Sequence, residues 1–111
     1  MPGYALMYWP KSKHRSATVD YGFKTLVAAR KAAITVLRTK DLYRTMDIGM
    51  SEPYNPFPMV EIYKSTDPHG QLFAKDFAGK VIMTDRGEAI YEFDGKVYDL
   101  NKDGTLGRRY L

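Results

Sequence analysis

Asp99, Asn101, Asp103, Gly104 and Thr105 stand at the spacing of a calcium loop, in which oxygen ligands occupy positions 1, 3 and 5, a glycine position 6 and a carbonyl position 7. Such a loop closes on a bidentate glutamate at position 12, and that place falls on Tyr110. The flanks Lys96-Val97-Tyr98 and Gly107-Arg108-Arg109 also lack the apolar period of two helices. A simpler reading uses the same residues. Asn101 starts a type I turn, Asp103 favours the bend, and Gly104 takes the left-handed conformation that precedes a bulged strand. The run from Asp99 to Leu106 is therefore expected to reverse the chain, with no metal and no cofactor.

No other constellation of catalytic residues stands out. His14 and His69 are far apart in the chain and have no neighbouring ligand at metal spacing. Asp67-Pro68-His69-Gly70 reads as a turn set by its proline and glycine. Ser12, Ser16, Ser51 and Ser65 lie in loops without the strand–turn–helix context of a nucleophilic serine. The six methionines are scattered and read as core filler. With no cysteine there is no thiolate nucleophile, disulfide framework or cysteine-bound zinc.

The charge distribution carries the main functional signal. Residues 1–44 hold nine Lys or Arg against Asp20 and Asp41, a net +7, whereas the other 67 hold eight basic and eleven acidic side chains, a net −3. Lys11, Lys13, His14, Arg15, Lys24 and Lys31 can neutralise phosphates while Tyr8, Trp9 or Tyr21 stack on bases. The plainer reading of the same residues is a solvated loop and the polar back of a helix. Over less than a third of the chain, the first strand, the basic loop and the helix start Phe23-Lys24-Thr25-Leu26 resemble the small hybrid-binding modules at the N-terminus of some ribonucleases H. That likeness carries no site residue over.

Arg30 is a different case. At 100° per residue it falls among Phe23, Leu26, Ile34 and Leu37 on the apolar stripe of a helix. An unpaired buried guanidinium is costly. Arg30 must lay its stem along the core and carry its head to water, which is the simpler arrangement, or pair with a sheet carboxylate such as Glu61 or Asp76. In functional terms it would be an anion-binding arginine or one half of a structural ion pair.

The elements that would position these residues can be read from period and punctuation. The 111-residue chain is 44% hydrophobic with 15 aromatics, 9 Tyr, 5 Phe and 1 Trp, as expected of one folded domain over residues 1–111. Tyr4 to Trp9 reads as a strand stopped by Pro10, and Lys11 to Tyr21 as an exposed loop or ragged strand edge. Thr25 caps a helix over about 25–39. Asp41 to Met50 is open between helix and strand, and the prolines of Ser51 to Pro58 make a loop. In that loop Tyr54 and Phe57 either pack inward or present a rigid peptide to a partner, packing being preferred.

Strand-like runs follow at Met59–Lys64 and Gln71–Phe77, then Lys80–Thr84 after a reversal at Ala78-Gly79. Glu88–Phe93 and Lys96–Leu100 complete the series. Gly79, Gly87, Gly95 and Gly104 recur every eight or nine residues, the spacing of an antiparallel meander. A two-residue hairpin at Asp94-Gly95 sets Phe93 opposite Lys96, Tyr91 opposite Tyr98 and Ala89 opposite Leu100 on the face turned to the helix. Glu88, Ile90, Glu92, Val97 and Asp99 take the other face.

The sequence thus predicts an α+β fold, one principal helix on a mainly antiparallel β-sheet with a C-terminal β-meander. The apolar run near the start is too short for a signal-peptide core and nothing approaches spanning length, so a cytoplasmic protein with an intact N-terminus and no membrane contact is expected. The expected function is a small non-catalytic accessory or interaction module acting on a protein partner, or as a homo-oligomer through an exposed sheet edge or its tyrosine-rich surface. The rival is a nucleic-acid binder using the basic region 11–44.

Overall fold

A computed structural model describes residues 3–9, 17–39, 59–65, 73–84 and 86–110. They form seven strands and one α-helix: β1 Gly3–Trp9, β2 Ala17–Phe23, α1 Leu26–Thr39, β3 Met59–Ser65, β4 Phe77–Met83, β5 Ala89–Phe93, β6 Lys96–Leu100 and β7 Leu106–Arg109. The strands make one sheet in the order β2-β1-β3-β4-β5-β6-β7, every pair antiparallel. The α+β class and the meander from β4 to β7 agree with the sequence reading. Residues 10–16, 40–58 and 66–72, with the Pro-rich loop among them, lie outside the described residues.

The helix starts where its cap does. Thr25 Oγ1 accepts the Ala28 amide at 3.1 Å, and the Thr25 carbonyl accepts the Ala29 amide at 3.1 Å. Ala29, Ala33, Ile34 and Leu37 form the buried stripe, and the two alanines let the helix approach the sheet closely. Beneath it lie Leu6, Tyr8, Val60, Ile62, Val81, Tyr91 and Leu100. Alternation along β3 puts Val60 and Ile62 in that core and Glu61 on the opposite face. There Glu61 Oε1 accepts the Trp9 indole N–H at 2.6 Å and the Tyr63 hydroxyl at 3.2 Å.

The meander follows its turn chemistry. Asp94 and Gly95 have φ of 54° and 76°, as a two-residue hairpin requires, and the pairs Phe93–Lys96 and Tyr91–Tyr98 form as expected, with Ile90–Asp99 continuing the same register. Asn101 and Thr105 close the next turn through Asn101 N–H to Thr105 O and Gly104 N–H to Asn101 O, both 2.9 Å. Its flanks are the paired strands β6 and β7. Asp103 Oδ1 accepts from the Thr105 amide at 3.0 Å and the Thr105 hydroxyl at 2.6 Å, bonds that hold its carboxyl below the usual range.

Two expectations need correction. The run Gln71–Phe77 is no strand in its described part: Phe73 leads into a single 3-10 turn, Ala74–Asp76, and pairing starts at Phe77. Nor does the chain reverse at Ala78-Gly79, which lie inside β4. Gly79 is there for another reason. The β3–β4 pairing shifts register between Ile62 and Tyr63, Gly79 has φ of 119°, and a Cβ on it would collide with the Tyr91 ring. Of the two readings of Lys11 to Tyr21, its described part takes the ragged edge. It belongs to β2, whose pairing with β1 shifts register twice.

Candidate binding surface

One end of the sheet gathers residues that the chain keeps far apart. β1 begins there, β2, β3 and β5 end there, β4 and β6 begin there, and α1 starts above it. Register puts Tyr4 beside Lys64 and Phe23, and Phe93 beside Lys96. Phe77 meets Tyr63 edge-on at 5.5 Å between ring centroids and lies 6.2 Å from Phe93, tilted by 35°. Lys75 Nζ sits 5.7 Å from the centre of the Phe73 ring.

Two of these aromatics face water. Phe73 is 50% and Phe93 41% exposed. Exposed phenylalanines at one end of a sheet are the kind of apolar surface that marks a contact site. Lys24, Lys64, Lys75 and Lys96 are exposed along the same end of the sheet, against Asp76 and Asp94. Between the rings and the start of α1 lies a cleft of about 220 Å³ bordered by Tyr4, Leu26, Lys64, Phe77, Tyr91 and Phe93.

No protein-family model, curated protein or solved structure matches this chain. Function must therefore be argued from the surface itself. A second concavity of about 360 Å³ lies by Ile34 and Leu100, but Arg38 and Lys102 there face Glu88 and Asp99, so its charges balance. Asp99 also accepts the Tyr110 hydroxyl at 2.6 Å, a bond that pushes the Tyr110 phenol up. The aromatic end combines apolar faces with a net positive rim. It is the better candidate for an anionic ligand.

The residues singled out from the sequence divide three ways. Lys11, Lys13, His14 and Arg15 lie outside the described residues. Lys24 joins the aromatic end. Lys31 is exposed elsewhere, beside the 101–105 turn, where its charge helps lower Asp103.

Arg30 departs from the expectation that its head reaches water, being only 7% exposed. Its Nε donates to the Gly104 carbonyl at 2.8 Å, and its guanidinium covers the Tyr91 ring 4.9 Å from the centroid. Among the described residues no ion pair with Glu61 or Asp76 is formed. Glu61 is engaged by Trp9 and Tyr63 across the sheet, and Asp76 lies at the cleft. A carbonyl oxygen and an aromatic face take the place of the carboxylate. The arginine fastens the meander's last turn to the helix.

Phe73, Phe77, Phe93, Lys64, Lys75 and Lys96 were not legible as a site. Phe93 and Lys96 were expected against the helix with Tyr91 and Leu100. The register keeps Phe93 on the face of Tyr91, but it stays 41% exposed and borders the cleft with Leu26, and Lys96 is exposed. The one usable signal was an aromatic placed directly before a turn, a position that more often takes a polar residue.

Proposed function

We propose that this chain is a small binding module that acts by contact and catalyses nothing, and that single-stranded nucleic acid is held at the aromatic–lysine end of its sheet. The supporting observation is the exposure of Phe73 and Phe93 at the sheet end that also exposes four lysines. Stacking on a phenylalanine suits any base, because every base has a π face, and lysines track the phosphates as point charges. Such a surface binds with little sequence preference.

The test is the salt dependence of binding to a labelled oligonucleotide. With each of Lys24, Lys64, Lys75 and Lys96 contacting a phosphate, the slope of log K against log salt should be about −3. Changing all four to glutamine should flatten it while leaving the melting temperature nearly unaltered, since all four are exposed. No binding at low salt would end the proposal.

Contact with a protein partner is the second reading, favoured by the outer strand β7, whose four residues are all exposed and which pairs on one side only. A molecular mass that rises with concentration would favour self-association. Among the described residues no helix is long and apolar enough to cross a membrane.

A further inference from the structure

The surface beside Phe93 is concave, and its inner wall is fixed in place. Tyr91 donates its hydroxyl to the Ala78 carbonyl, lies over Gly79 where no side chain interferes, and carries the Arg30 guanidinium on its ring. Arg30 is in turn held by Gly104. Leu26, Phe77 and Phe93 supply the remaining apolar surface, and Lys64 and Lys75 border the cleft. A wall anchored at so many points does not need ordering when a ligand arrives.

We propose that this cleft takes one unstacked base of a polynucleotide, so that the protein selects single strands over duplexes; the proposal rests on the nucleic-acid reading above. Its volume of about 220 Å³ falls below the range of roughly 300–1,000 Å³ typical of drug-sized ligands and suits one flat ring system. Phe77 and Phe93, with centroids 6.2 Å apart and tilted, leave no slot for a third ring between them. The base lies instead against the exposed surface of Phe93, with its sugar and phosphate outside near Lys64 and Lys75. Asp76 at the cleft disfavours a phosphate inside it and can accept a hydrogen bond from an amino-bearing base. In a duplex both faces of each base are already stacked, so entry would require unpairing.

The decisive experiment is fluorescence anisotropy with four probes of equal length: a labelled single-stranded DNA, the RNA of the same sequence, their DNA duplex, and the single strand with its bases removed at successive sites. At least one intact single strand should bind about tenfold or more tightly than both the duplex and the abasic strand. Phe93→Ala should weaken the intact strand about tenfold without changing the salt slope and leave the abasic strand unaffected, whereas Phe93→Trp should keep the discrimination. Phe93 is exposed at a hairpin, so neither change should alter the melting temperature by more than a few degrees. Equal affinity for intact, abasic and duplex probes, with a steep salt slope, would overturn the base cleft while the polyanion surface stood. Failure of every probe to bind at low salt would overturn both.

Discussion

Gly104→Ala and Gly87→Ala form a matched pair that isolates how firmly the meander's last turn is docked. The two turns are built alike. Gly87 N–H reaches Thr84 O and Thr84 N–H reaches Glu88 O, while Gly104 N–H reaches Asn101 O and Asn101 N–H reaches Thr105 O, all at 2.9 Å. Both glycines have positive φ, 79° and 91°. Forcing alanine into that conformation costs about 1 kcal/mol in either turn.

The surroundings differ. A Cβ on Gly87 meets nothing within 4 Å, whereas one on Gly104 would run into the Val27 carbonyl and stand 3.0 Å from the Lys31 nitrogen. Both obstacles are helix backbone, which cannot rotate aside. Overpacking adds about 1–3 kcal/mol. Relief by lifting the turn would break the buried Arg30 bond to the Gly104 carbonyl, itself about 1.5–3 kcal/mol. Gly87→Ala should therefore cost about 1 kcal/mol and Gly104→Ala about 3 kcal/mol, which in melting temperature is about 4 °C against about 12 °C. Urea and thermal unfolding of both variants give the comparison. In an Arg30→Met background the extra cost of Gly104→Ala should shrink toward that of Gly87→Ala. Equal costs for the two glycines in the wild-type background would refute the docked turn.

Three further outcomes follow from the same geometry. Arg30→Met should destabilise by about 3 kcal/mol in urea unfolding, because the Gly104 carbonyl loses its buried donor and Tyr91 its cation; a cost below about 1 kcal/mol would mean that the head is solvated. Thr25→Ala should cost about 1 kcal/mol through the lost cap and Thr25→Ser almost nothing, and identical costs would place the helix start elsewhere. Tyr63 is pushed up to about 12 by burial, then by the charge of Glu61 and the hydrogen bond to it. Because the folded value lies above the ordinary 10.0, its contribution to stability is complete below pH 10 and is lost as pH rises through about 12. Absorbance titration should show a tyrosine ionising late in wild type and earlier in Glu61→Gln, and no change in that variant would contradict the assignment.

What the sequence could tell was set by whether the cause of a feature was local. The register across Asp94-Gly95 was legible because a two-residue turn and a period of two leave one alignment, and Tyr91 does lie opposite Tyr98. Thr25 marked the helix start because capping acts over three residues. Gly79 was misread as a reversal because glycine usually punctuates, whereas here it makes room for a tyrosine from the neighbouring strand. For Arg30 the sequence offers water first and a sheet carboxylate second, because only exposure and opposite charge can be searched for in a sequence. Its true acceptor is a backbone carbonyl 74 positions away, a group that every residue carries. The aromatic end was illegible for the same reason: Tyr63, Phe77 and Phe93 meet only once the sheet is assembled.

The fate of Arg30 also constrains how an anion can be recognised. A buried guanidinium already bonded to Gly104 and seated on Tyr91 could take a phosphate only by giving up those contacts, which fasten a turn to the helix. On the proposed nucleic-acid reading, phosphates would be left to exposed lysines, each of modest worth and screened by salt. Four such lysines bring a polyanion near but do not distinguish one polyanion from another. On that reading, discrimination would come from groups that salt does not screen, the faces of Phe73 and Phe93 and the cleft backed by Tyr91. On the proposed reading, Arg30 would serve the contact surface from inside the core, by holding that tyrosine in place, without touching the ligand.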